Sequence, residues 1–191
     1  MNFTYANKSK FPLFINRRNV RLCLILFFVL TTVNSCYQND YLSKIFIRKS
    51  DKVIIFISPE CPLCQSYTKQ IKKLQDKYKD KLKFYGVLPG TSYSHQEMDS
   101  FLNLYDLTID IIYDNNYALV NRLNASITPE VYLIDKNNTV KYHGLIDNWL
   151  GELGRKRQTV SKHYLNDAIE SFLSGKEIKI KKTKAIGCFI E

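Results

Sequence analysis

Residues 53–64 read VIIFISPECPLC, and no other stretch restricts the fold as much. The run Val53-Ile54-Ile55-Phe56-Ile57 is short, apolar and mostly β-branched and is followed by Pro59, which predicts a buried strand over Lys52–Ser58. From Pro62 to about Lys79, the residues Tyr67, Ile71, Leu74 and Tyr78 keep three-to-four spacing, with lysines on the other face. That pattern predicts an amphipathic helix. Cys61 and Cys64 therefore fall where a strand hands over to a helix. A sulfur at that join lies beside amide hydrogens without intrahelical partners and at the positive end of the helix dipole, and both favour thiolate over thiol. Pro62 suits the first helical position, where its missing N–H would have had no partner anyway. Cys64 follows almost one turn later and points the same way, so its sulfur can close a disulfide on Cys61 after Cys61 has attacked a substrate.

Other uses of the pair fit less well. Zinc would need a second ligand pair, and Cys188 with three scattered histidines lacks the usual spacing. Covalent haem attachment needs histidine directly after the second cysteine, where Gln65 stands. A static disulfide or a coincidental pair remains open, but neither requires the strand-to-helix position. The expectation is redox use, with no metal and no cofactor.

The remaining elements follow the chain. Leu82–Leu88 reads as a second strand halted by Pro89-Gly90. Ser94 and Glu97 have the spacing of a capping box, which starts a helix to about Tyr105. Ile109–Tyr113 reads as a third strand and Asn116–Leu123 as a short helix. Val131–Asp135 and Thr139–Gly144 flank the turn Lys136-Asn137-Asn138 and make a hairpin. Ser161 to Ser174 forms the last helix, with Gly175 as its stop. The alternation predicts an α/β fold, a central mixed sheet of about four or five strands with helices on both faces. Thr128-Pro129 precedes a strand expected beside the cysteine strand, and X-Pro is where cis peptides occur. A cis bond there would let Thr128 offer its backbone to an extended substrate next to the sulfurs. A trans proline opening an edge strand is the alternative.

Residues 1–35 carry Lys8, Lys10, Arg17, Arg18 and Arg21 and no acid, then the apolar run Leu22–Val33, then Asn34-Ser35-Cys36. This is the order of a secretory signal. The run of 12 residues falls short of the roughly 20 that span a bilayer. Val33-Asn34-Ser35-Cys36 resembles a lipobox, which predicts lipidation at Cys36 and a membrane-anchored protein of the cell envelope or periplasm. An ordinary export signal with Cys36 incidental is the alternative. Cys23, inside the run, acts as a small hydrophobe. Removing 1–35 leaves 23 Lys and Arg against 18 Asp and Glu, so the formal charge falls from +10 to +5. The remaining basic residues are spread through lysine-rich helices and the segment at 176–184, without the aromatic interleaving that nucleic-acid binding would want. No nucleic-acid partner is expected.

With 53–64, ITPEVYLID at 127–135 and NNTVKYHGLID at 137–147, the chain resembles the thioredoxin superfamily, in particular exported redoxins of the TlpA and ResA type. The resemblance covers 51–175, after a linker at 36–50, and leaves 176–191 as a basic C-terminal tail ending in Gly187-Cys188 and three more residues. It implies a thiol-disulfide oxidoreductase, monomeric, acting on protein thiols and disulfides. Cys61 is then the attacking cysteine and Cys64 the resolving one, with Thr128, Pro129, Pro62 and Leu63 against the substrate. Three departures stand out. Glu60 replaces the tryptophan that often precedes the first cysteine, and its charge should raise the Cys61 pKa. The buried aspartate of thioredoxins falls on Ile55. Pro62-Leu63 is not the thioredoxin dipeptide. Cys188, in the apolar tip Ile186 to Ile190, is an accessory thiol that can dock on the body, pair with another protein or relay electrons. Rival functions are a peroxiredoxin-like peroxidase, for which Ser58 gives the hydroxyl-to-cysteine spacing, and a Sco-like copper chaperone, for which His143 and His95 are the candidate donors.

Overall fold

A central strand made wholly of buried residues organises the molecule. The computed structural model describes residue 46, residues 49–152 and residues 155–191, all within the unit Tyr41–Glu191. β1 (Lys52–Phe56) pairs in parallel with β2 (Lys83–Pro89), which pairs in parallel with β3 (Asp110–Asp114). On its other side β1 pairs antiparallel with β5 (Glu130–Ile134), which pairs with β6 (Val140–Gly144). The five-stranded order is β3-β2-β1-β5-β6. The parallel pairs require crossovers, and the chain supplies them as α1 (Pro62–Tyr78) and α2 (His95–Leu104).

Alternation along β1 divides the core. Val53, Ile55 and Ile57 face a cluster with Tyr67, Ile71, Leu74 and Tyr78 of α1, Met98 and Phe101 of α2, and Leu165, Ala168 and Ile169 of α4 (Tyr164–Leu173). Ile54 and Phe56 face the opposite cluster, which holds Leu119 of α3 (Ala118–Leu123). The sheet thus carries helices on both faces, as the alternation predicted.

The expected capping box is present: Glu97 N–H donates to Ser94 Oγ at 3.2 Å and Ser94 N–H to the Glu97 carboxylate at 2.7 Å. In the hairpin turn, Asp135 Oδ1 accepts from the amides of Asn137 and Thr139, and Asn138 takes a positive φ of 65°. The last helix is shorter than its periodicity suggests. Asn148 Oδ1 accepts from the amides of Ser161 and Lys162, which fixes these residues outside the helix. Three further pieces had no sequence signal: β4 (Ile127–Thr128), the pair β7 (Leu150–Glu152) and β8 (Arg155–Lys156), and β9 (Cys188–Phe189). β4 and β9 pair with each other, antiparallel. The export segment and Cys36 lie outside the described residues, and no helix among the described residues is long and apolar enough to cross a membrane.

Candidate active site

The end of β1 presents the cysteines. Ile57 N–H donates to the Val87 carbonyl at 2.9 Å, which holds the strand in register up to the turn. Cys61 N–H reaches the Ser58 carbonyl at 3.3 Å and the Gln65 side-chain amide reaches the Pro59 carbonyl at 2.8 Å, closing that turn over the start of α1. Cys61 is the N-cap residue with extended backbone, and Pro62 takes the first helical position. The structure brings Cys61 (4% exposed), Cys64 (0%), Thr128, Pro129 and Cys188 together. The Thr128-Pro129 peptide is cis, and the Cys61 sulfur lies 3.2 Å from the Thr128 carbonyl oxygen. Pro62 is exposed beside the pair, whereas Leu63 is half-buried and packs on the core.

The three thiols have different proton affinities. Cys61 is lowered to about 4, chiefly because the Cys64 thiol hydrogen-bonds its sulfur. Burial opposes this, and a hydrogen bond from the Cys188 thiol adds to it. Cys64 is pushed well above the ordinary thiol value, first by burial and then by bonding to the Cys61 sulfur and its charge. Cys188 is pushed up to about 12 by burial, then by the same two influences from Cys61. The site therefore holds one thiolate and two proton donors around it. The expectation that Glu60 would raise Cys61 is overturned. Its carboxylate accepts from the Tyr93 hydroxyl at 3.4 Å, and hydrogen bonds from neighbouring thiols outweigh any repulsion.

Cys61 opens on a cleft of about 370 Å³ lined by Ser58, Glu60, Tyr93, Thr128, Cys188 and Phe189 among others. The two candidate copper donors do not line it. His95 stacks on Tyr113, and His143 stacks on Tyr132 with its Nδ1 3.6 Å from the Glu130 carboxylate. Among the described residues no group of three or more His, Cys, Asp or Glu is arranged to hold a metal ion. Ile55, at the place of the thioredoxin aspartate, is fully buried. The buried carboxylate nearest in sequence to the cis-proline is Glu130, which accepts from Ser126 N–H at 3.4 Å. Sequence reasoning missed Glu130 because it reads as one polar residue at the mouth of an apolar strand. It also left the place of Cys188 open.

A mixed sheet with paired thiols at the N-terminus of α1, facing a cis-proline loop, defines a thioredoxin-like oxidoreductase of the redoxin class. The chain belongs to the AhpC/TSA family, which its residues 30–143 match. No curated protein matches it in sequence. Its fold is similar to that of a hypothetical protein from Sinorhizobium meliloti, with 20% identity, a TM-score of 0.67 and coverage of 77% of this chain and 82% of that one. An uncharacterized conserved protein from Geobacillus kaustophilus aligns with 20% identity and a TM-score of 0.65, over 75% of this chain and 77% of that one. A thioredoxin-like protein in its oxidized form aligns with 21% identity and a TM-score of 0.51, over 67% of this chain and 80% of that one. These likenesses establish the fold.

Proposed function

We propose that the chain is an exported thiol-disulfide oxidoreductase that exchanges disulfides with protein partners through Cys61 and Cys64. The observation that carries this reading is the placement of the pair at the start of α1, with the Cys61 sulfur 3.2 Å from the Thr128 carbonyl oxygen at the edge of an open cleft; the thiols' shifts, Cys61 lowered and Cys64 raised, agree with it. The Cys61 thiolate attacks one sulfur of a partner disulfide and releases the other as a thiolate. Once Cys61 is in that mixed disulfide it carries no charge, so two of the influences holding the proton on Cys64 disappear. Cys64 then attacks the Cys61 sulfur and frees the second partner thiol. The partner gains two electrons and the chain is left with a Cys61–Cys64 disulfide; the reverse sequence oxidises a partner.

Titration of the pair in glutathione and dithiothreitol buffers, in a Cys188→Ser background, tests this directly. A reversible two-electron transition confined to Cys61 and Cys64 is expected, and a pair that stays reduced throughout would overturn the reading. A Cys64→Ala, Cys188→Ser double variant should hold partners as mixed disulfides through Cys61. Export and anchoring rest on the basic, apolar, small-residue order of 1–35 and the lipobox-like Val33–Cys36. A Cys36→Ser variant is expected to leave the membrane fraction, and retention there would count against a lipid anchor.

A second reading, a thiol peroxidase, has Ser58 in its favour, since that hydroxyl residue and Cys61 line the same cleft in a family that also covers peroxiredoxins. Thiol-dependent consumption of hydrogen peroxide with Cys61 passing through sulfenic acid would select it.

A further inference from the structure

The C-terminal segment ends on the sulfur that the proposed reaction uses. Thr183 moors it first. Its Oγ1 receives Leu145 N–H at 2.8 Å and meets the Tyr142 hydroxyl at 2.8 Å, while its N–H donates to the His143 carbonyl at 3.0 Å. Beyond Thr183 the chain reaches the active site and forms β9, in which Cys188 stands opposite Thr128 and Phe189 opposite Ile127. Ile190 N–H donates to the Ser126 carbonyl at 3.0 Å, and the Tyr117 hydroxyl donates to the Glu191 carbonyl at 2.5 Å. The Cys188 sulfur lies 2.7 Å from that of Cys61. Gly187 makes the approach possible: a Cβ there would stand 2.1 Å from the Thr128 carbonyl oxygen, a backbone atom that cannot move aside cheaply.

We propose that β9 is a tethered substrate, an extended cysteine-bearing strand seated on the Thr128 edge, and that Cys188 is a third redox thiol that takes over the disulfide from Cys64. The proposal rests on the disulfide-exchange reading above and extends it to the tail. Starting from the Cys61–Cys64 disulfide, the Cys188 thiolate attacks the Cys61 sulfur. The Cys61–Cys188 bond forms as the Cys61–Cys64 bond breaks, and Cys64 leaves as a thiolate that takes up the proton Cys188 gave up. No electrons are gained or lost, so the step needs no further oxidant. The chemistry of Cys188 changes in the required direction. Burial holds its proton first, but the other two influences come from the Cys61 thiolate and vanish once Cys61 is in a disulfide. The exchange moves the oxidising bond from a cysteine buried in the core to a half-buried strand. An outside thiol can then attack Cys188 and release Cys61 as a thiolate. A second thiol of the same partner then attacks the partner's own sulfur in that mixed disulfide and expels Cys188 as a thiolate, which leaves the partner disulfide-bonded and Cys61 and Cys188 reduced. Phe189, 77% exposed beside Cys188, offers such a partner an apolar contact.

The test uses the full chain with Cys64→Ala, oxidised with about 1 mM oxidised glutathione, quenched by alkylation and mapped by mass spectrometry. A seated strand should outcompete free thiols by its effective concentration, so the Cys61–Cys188 disulfide is expected about tenfold over glutathionylated Cys61. Adding Gly187→Ala should invert that ratio, because the new Cβ lifts β9 from Thr128 without touching any sulfur. Circular dichroism reports whether the body of that variant is folded. Glutathione on Cys61 with Cys188 freely alkylated, or a ratio unmoved by Gly187→Ala in a folded protein, would overturn the proposal. Failure of the exchange reading itself is read separately, in the Cys188→Ser protein, as a Cys61–Cys64 pair that does not oxidise.

Discussion

One residue type behaves in three ways within a few ångströms: burial comes first for Cys64 and Cys188, and the hydrogen bond from Cys64 comes first for Cys61. Reaction of reduced Cys61 with iodoacetamide should follow its thiolate fraction. With a value of about 4, its rate is expected to stay flat as the pH falls from neutrality and to drop only in the acid range near that value. An ordinary thiol would lose reactivity tenfold per unit throughout that interval. Cys64→Ala removes the largest influence that lowers Cys61, so the midpoint of the profile should move upward. An unmoved midpoint would mean that something other than the Cys64 thiol holds the charge. The same residue scale explains why Glu60 misled: sequence adjacency to Cys61 suggested repulsion, but the carboxylate is engaged with Tyr93 and the nearer thiols decide. A second residue-scale prediction concerns a buried hydrogen bond made by α1. The Tyr67 hydroxyl donates to buried Asp147 at 2.8 Å, and Trp149 N–H donates to the same oxygen at 2.9 Å. Tyr67→Phe leaves that carboxylate one donor short and is expected to cost about 1.5–3 kcal/mol in a denaturant titration, with the m-value unchanged.

Elements whose own residues determine them could be read in advance. β1 is apolar on both faces because it is central, α1 shows its stripe of Tyr67, Ile71, Leu74 and Tyr78, and α2 begins where Ser94 and Glu97 cap it. That cap gives a prediction at this scale: Ser94→Ala should lower stability by about 1 kcal/mol, while Ser94→Asp, which keeps an acceptor, should cost much less. Equal losses would mean that the cap adds nothing. Elements set by distant partners were not legible. α3 starts after Tyr117 in the left-handed region with φ of 57°, a conformation that no pattern in the sequence announces. α4 loses its expected first residues to Asn148, which lies in a separate loop. β4 and β9 are two residues each and exist only because they pair across some sixty positions. The cysteine pair and cis-proline could be placed from local chemistry, but the third thiol could not, since its position depends on how the last segment crosses the molecule.

Across the whole molecule, the last residues separate two jobs, holding the body together and covering the reactive sulfur. Up to Thr183 the segment contributes to the body: Ile178 is buried and Thr183 Oγ1 ties Tyr142 to Leu145. Past Lys184 it packs the half-buried Cys188 and Ile190 against the core and leaves Phe189 largely exposed, and it forms one wall of the cleft over Cys61. A chain ending at Lys184 should therefore melt within about 4 °C of the full chain, since the apolar surface that the removed segment buries is small for a protein of this size. Its Cys61 should nevertheless react several-fold faster with a bulky nitrobenzoate disulfide reagent. The informative comparison is with full-length Cys188→Ala, which leaves no side-chain donor at that position. Both proteins lack the Cys188 thiol and so lose the same stabilisation of the Cys61 thiolate, and Cys64 remains to hold the charge in both. Any difference in rate then reports cover alone. Equal rates would mean that the strand leaves Cys61 as accessible as its removal does, and that partners reach the sulfur without displacing the chain's own end.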